Sequence, residues 1–104
     1  MLMRSPLVNE AEIDRRIKEV ARKLAPDVVR IRYAITLDST GEEAMFFRVL
    51  LSDEASREKR LAKVTERIES ELLAAIPLDE FGLFSFFHYR SRSEQAMLKE
   101  PAWE

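Results

Sequence analysis

Residues 27–52 decide the fold, and they read DVVRIRYAITLDSTGEEAMFFRVLLS. Apolar and polar residues alternate along residues 27–37, as they do on a half-buried β-strand. Turn-forming residues around Gly41 follow, so residues 44–52 should fold back antiparallel as the second strand of a hairpin. The second strand is less regular, because both of its faces carry apolar residues. Five alternating residues of the first strand are expected to face the core: Val29, Ile31, Tyr33, Ile35 and Leu37.

Two amphipathic helices flank this hairpin in the sequence. The first is predicted over residues 10–25, where apolar residues recur every three or four positions and Asn9 is a suitable N-cap. The second carries the same spacing as far as Ala75, and both Asp53 and Ser56 are candidates for its N-cap. A proline follows each helix and ends it.

The last part of the chain predicts one more strand and a short tail. Residues 83–90 are rich in aromatic residues, which favours a strand over a helix. Residues 94–99 can form a short helix, capped by Ser91 or Ser93 and stopped by Pro101. The order of elements is therefore α-β-β-α-β, followed by a helical tail.

This order predicts an α+β fold, a two-layer sandwich with both helices on one face of a three-stranded sheet. A right-handed crossover through the second helix would place the third strand beside the first, giving an antiparallel sheet of order 2-1-3, half of a ferredoxin-like arrangement. The chain should form one domain over residues 1–104. Within it we expect an N-terminal tail at 1–9, a core at 10–90 and a C-terminal tail at 91–104.

This layout resembles the cytoplasmic domain of cation diffusion facilitator transporters. The likeness spans roughly residues 10–89, and it depends on the order of the elements and on residues 37–51, which include the turn at Gly41. The resemblance implies a small dimerising module that senses metal. No metal ligand is carried over to this chain.

Composition excludes several classes of function. The 104 residues are 46% hydrophobic and 35% charged, with a net charge of −2 and no cysteine. A chain of this size can bury one core, and without cysteine it forms no disulfide and offers no thiolate for catalysis or for metal binding. It shows no secretory signal and no apolar run long enough for a membrane span, so we expect a cytoplasmic protein. Its two glycines, Gly41 and Gly82, are too far apart for a phosphate-binding loop.

Candidate catalytic groups are few. His88 is the single histidine, and a zinc site built on it would need carboxylates as all its other ligands. Serine has no Gly-x-Ser-x-Gly context that would mark a nucleophile. Solvated charge is the expected role of three acidic pairs, which are predicted in turns or on helix surfaces: Glu42 with Glu43, Asp79 with Glu80, and Glu69 with Glu71. We therefore predict no enzyme activity, no catalytic residue, no metal and no cofactor.

The sheet face that the helices leave uncovered is the strongest candidate site. Arginines alternate with the core residues on the first strand, and large apolar residues accompany an arginine on the second. On the third strand either Phe84, Phe86 and His88 or Phe87 and Tyr89 would complete this face. The residues predicted to interact are Arg30, Arg32, Phe46, Arg48 and Leu50, together with Trp103 of the tail.

Arginine set among aromatic groups has more than one interpretation. Such a face is typical of protein interfaces, which predicts a homodimer or an accessory subunit of a larger system. The alternative is binding of single-stranded nucleic acid or of a small ligand, with bases stacked on the rings. The acidic composition makes nucleic acid the less favoured partner. Trp103 either anchors on a partner or packs as a hook on the chain's own sheet, and the second option is favoured.

Overall fold

A computed structural model describes residues 9–104, so the predicted N-terminal tail lies outside the described residues except for Asn9. The predicted order α-β-β-α-β is confirmed. The elements are α1 (Glu10–Lys23), β1 (Val28–Leu37), β2 (Glu43–Leu51), α2 (Glu58–Ala75), α3 (Leu78–Phe81), β3 (Phe84–Ser91), α4 (Arg92–Leu98) and a final 3-10 turn (Pro101–Trp103). The single turn of helix α3 was not predicted.

Two of the three predicted helix N-caps are confirmed. The Asn9 side chain accepts a hydrogen bond from the Glu12 amide, and Ser91 caps α4. At α2 neither Asp53 nor Ser56 is the N-cap, because both side chains are engaged elsewhere. Asp53 accepts a hydrogen bond from the Ser93 amide, and the Ser56 hydroxyl donates to the Ser52 carbonyl oxygen. The helix consequently begins later, at Glu58, without a capping side chain.

The sheet has the strand order β1-β2-β3, so the predicted order 2-1-3 is wrong. β1 and β2 pair antiparallel as predicted, but β3 runs parallel to β2 and lies beside it. The crossover through α2 thus returns the chain to the free edge of β2. Six of the nine β2 residues are buried, as is usual for a central strand, whereas only two of ten are buried in β1. The half-ferredoxin-like arrangement is not confirmed.

The helix-facing side of the sheet forms the core. Ile31, Tyr33 and Ile35 lie opposite Val49, Phe47 and Met45, as the alternation predicts. The expectation fails at both ends of β1. An irregularity between Val28 and Arg30 places Val28 opposite Leu51, so Val28 is buried and Val29 only half-buried. Leu37, at the other end, is 49% exposed.

Candidate interaction face

The other side of the sheet, called the open face here, consists of residues that pair across the three strands. The register places them in four rows: Arg30, Leu50 and Arg90; Arg32, Arg48 and His88; Ala34, Phe46 and Phe86; Thr36, Ala44 and Phe84. The five predicted strand residues, Arg30, Arg32, Phe46, Arg48 and Leu50, therefore share one face. Of the two alternatives on β3, the structure shows Phe84, Phe86 and His88 on it.

Aromatic rings form the middle of this face. The ring centroids of Phe46 and Phe86 are 5.0 Å apart with planes 15° from parallel, and the His88 ring lies 6.3 Å from that of Phe46. Phe86 is 40% exposed and Phe84 58%. Stacked rings prefer an offset contact of this kind, but here the stack leaves apolar surface in water.

Arginines that form no ion pair within residues 9–104 lie next to the rings. Arg32 is directly opposite Arg48, and His88 continues the same row on the far side of Arg48. Among residues 9–104, no carboxylate pairs with Arg30, Arg32 or Arg48. Like charges directly opposite each other on neighbouring strands are destabilising. The fold thus tolerates this row without any compensating contact that the structure describes.

The tail closes one end of the open face. Ser91 and Glu94 form a reciprocal capping box that starts α4 directly after β3. The chain then folds back, and Trp103 is only 7% exposed, with the Arg90 guanidinium carbon 4.4 Å from its ring centroid. The predicted hook of Trp103 on its own sheet is confirmed. Leu50 is likewise 5% exposed and lies in the same row as Arg90.

Arg90 is fully engaged by this tail. Its guanidinium donates one hydrogen bond of 2.8 Å to the Gln95 side-chain oxygen and another of 2.8 Å to the Glu100 carboxylate. We call Leu50 and Arg90 with their tail contacts the covered end. The uncovered part consists of the other residues of the face, chiefly Arg32, Arg48, His88, Phe46 and Phe86.

The other sequence candidates do not meet at one place. Glu69 accepts a hydrogen bond of 2.7 Å from the Tyr89 hydroxyl, and Glu71 accepts one from Lys23 on the neighbouring helix. Burial, together with the Glu69 carboxylate, raises the pKa of Tyr89 well above that of an exposed tyrosine, so its hydroxyl remains a donor. In the described part of the chain, no three histidine or acidic side chains cluster as metal ligands would.

Two features of this face could not be predicted from local sequence patterns. The alternation of residues 84–90 gave two possible sets, and only the parallel register with β2 shows which set faces outward. The contact between Arg90 and Trp103 joins residues that are far apart in sequence, and no local pattern indicates it. The burial of Leu50 has the same origin, since the tail covers it.

Comparison with known proteins identifies the fold and no more. No family model and no curated protein matches the sequence. Among solved structures, the copper form of a MamM CTD variant covers 81% of this chain and 99% of its own, with a TM-score of 0.51 and 11% identity. A MamM CTD variant with three substitutions covers 80% and 95%, with a TM-score of 0.50 and 13% identity.

The fold is similar to that of the MamM CTD. Since these structures are cytoplasmic domains of a cation diffusion facilitator, the resemblance that the element order suggested is confirmed as a likeness of fold. At this identity the likeness does not extend to binding residues. Helices α1 to α4, which all lie in the described part of the chain, are too short or too polar to cross a bilayer.

Proposed function

We propose that this chain is a non-catalytic association module that acts in the cytoplasm, as a homodimer or as an accessory subunit of a larger system. The uncovered part of the open face is its binding surface. The observation that carries the proposal is a stacked pair of phenylalanine rings, half-buried Phe46 and exposed Phe86, beside arginines that form no ion pair with residues 9–104. Aromatic residues and arginine are enriched at the centres of protein interfaces, and burial of the rings would favour association.

The contacts at the covered end indicate which chemical groups such a partner would present. There the tail supplies an amide oxygen, a carboxylate and an indole ring to one arginine of the same face. A partner that binds the uncovered part would do the same for Arg32 and Arg48. It would present carboxylates to the guanidinium groups and apolar or aromatic groups to Phe46 and Phe86.

Charge favours another subunit over a second copy. The four rows of the open face contain no aspartate or glutamate. Two such faces packed together would therefore bring arginines close to arginines and remove their charges from water, which costs several kcal/mol per ion when the charges remain unpaired. An acidic surface on a different protein avoids this cost.

Light scattering and affinity capture test the proposal. We expect a complex with a protein partner that Phe86→Ser abolishes, whereas Leu73→Ser preserves it, since Leu73 is similarly exposed but lies on α2. A strict monomer at high concentration that captures no protein contradicts the proposal. Affinity for a single-stranded oligonucleotide that falls steeply with salt and is lost in the double variant Arg30→Glu, Arg48→Glu would instead support the nucleic-acid alternative.

A further inference from the structure

A second surface lies in the helical layer, away from the open face. It is a groove of about 390 Å³ between the first half of α2, the end of α1 and the start of β1. α1 lies beside the second half of α2, where Arg16 donates to the Ala75 carbonyl oxygen and Lys23 pairs with Glu71. Since Lys23 is the last residue of α1, no helix within residues 9–104 lies beside the first half of α2 on this flank. The volume is within the range of small-molecule sites, ~300–1,000 Å³.

The floor of the groove is apolar. Leu24, Val28, Val64 and Ile68 line it, and each is at most 9% exposed. These side chains belong to the edge of the main core. Their position gives an apolar ligand segment a rigid surface to pack on.

The rim of the groove is strongly basic. Lys59, Lys63 and Arg67 follow one another at intervals of four residues on α2 and line the groove together with Arg60. Arg60 is paired with Asp27 at 2.7 Å, and that carboxylate is the single acidic group among the described residues that line the groove. The other three cations form no ion pair with residues 9–104. Like charges spaced four residues apart destabilise an isolated helix.

The helix dipole adds to this positive charge. α1 has acidic residues in its first turn and basic residues in its last, which is the favourable distribution. In α2 the distribution differs, because Lys59 and Arg60 accompany the acidic Glu58 in the first turn and no basic residue lies in the last. The side chain of Arg57, the N-cap residue, makes no capping hydrogen bond to the first turn of α2. A bound anion would offset both the crowded cations and the positive end of the dipole.

We propose that this groove binds an amphiphilic anion, a carboxylate or phosphate head group attached to an alkyl chain. Lys63 and Arg67 would hold the head group, with Lys59 nearby, and the alkyl chain would pack on the apolar floor. The same chemistry is offered by a free acyl or alkyl anion and by an anionic lipid in a membrane surface. This site is independent of the proposed association through the open face.

Calorimetric titration with decyl phosphate, below the concentration at which it forms micelles, tests the site. We expect one-to-one binding, with inorganic phosphate at least about tenfold weaker because it cannot use the apolar floor. The double variant Lys63→Gln, Arg67→Gln should weaken binding of decyl phosphate by about tenfold or more. The matched variant Lys18→Gln, Arg22→Gln removes two exposed cations from α1 and should bind as the unaltered chain does.

Co-sedimentation with phosphatidylcholine vesicles, with and without phosphatidylglycerol, distinguishes the two sources of the ligand. Binding to decyl phosphate alone indicates a free amphiphile, and additional binding to the anionic vesicles that needs Lys63 and Arg67 indicates a lipid. Absence of decyl phosphate binding, or equal losses in the two double variants, overturns the proposal. Circular dichroism of each variant confirms that it is folded, and none of these outcomes affects the open face.

Discussion

The two ends of the open face hold the same kind of residue in opposite circumstances. At the covered end, the Arg90 side chain is 14% exposed and is held by Gln95, Glu100 and Trp103. In the uncovered part, Arg32 and Arg48 lie directly opposite each other, and neither has an ion pair among residues 9–104. The comparison indicates which contacts stabilise a covered arginine on this face. At the covered end the chain's own tail supplies an amide oxygen, a carboxylate and an aromatic ring. Within residues 9–104, no carboxylate gives Arg32 or Arg48 the ion pair that Glu100 gives Arg90.

Removing the tail's anchor should have the largest effect on stability. Trp103→Ala deletes a buried ring and exposes Leu50 and Arg90, so we expect the free energy of unfolding to fall by about 3 kcal/mol. Phe86→Ala should cost less than about 1 kcal/mol, because its ring is 40% exposed. Urea denaturation measures both values. Equal losses would mean that the two ends of the face do not differ as described.

Substitution of Arg90 and substitution of Arg48 should change the free energy of unfolding in opposite directions. Arg90→Gln removes two hydrogen bonds and the contact with Trp103, and it should lower the free energy of unfolding by about 1–2 kcal/mol. Arg48→Gln relieves the repulsion from Arg32 and should raise that free energy by a few tenths, about 0.3 kcal/mol. Denaturation at low and at high salt checks the second effect, which should shrink as salt screens the charges. Destabilisation by Arg48→Gln would indicate a compensating contact.

Acid should weaken the hydrogen bonds between Asp53 and Ser93, which hold the tail at the covered end. We expect this to be the smallest of the effects on stability. The Ser93 side chain and amide donate to Asp53, and these hydrogen bonds hold the pKa of Asp53 below its ordinary range. A lowered pKa in the folded state gives stability that is fully present above the ordinary aspartate pKa and is lost as the pH falls from there through the lowered pKa. The fluorescence of Trp103 should therefore change only below the ordinary aspartate range.

Two variants isolate the contribution of Asp53 to that change. Asp53→Asn should remove part of the pH dependence of Trp103 fluorescence. Asp38→Asn serves as the control, because the pKa of Asp38 is also lowered, chiefly by the Thr40 hydroxyl, but it lies in the hairpin turn at the far end of β1. A fluorescence response that Asp38→Asn alters as much as Asp53→Asn does would show that the acid effect is not local to the tail.

The sequence predicts the composition of the open face better than the topology of the sheet. The alternation of residues 30–36 places the arginines on one face because side chains of a strand point to alternate sides. The apolar residues on both sides of β2 agree with its central position in the structure, but the predicted crossover put β1 in the centre. Local alternation could not reveal the irregularity that exchanges Val29 for Val28 in the core. Local alternation also could not show that the tail covers Leu50 and Arg90, because those contacts depend on tertiary packing.

We propose above that the uncovered part of the open face binds a protein. Photocrosslinking in the cells that produce the chain tests it most directly, with benzoylphenylalanine placed at position 86 or, as a control, at position 73. We expect one discrete crosslinked species from position 86, whose mass distinguishes a second copy from another subunit, and none from position 73. No discrete species from position 86, or the same species from both positions, would contradict it.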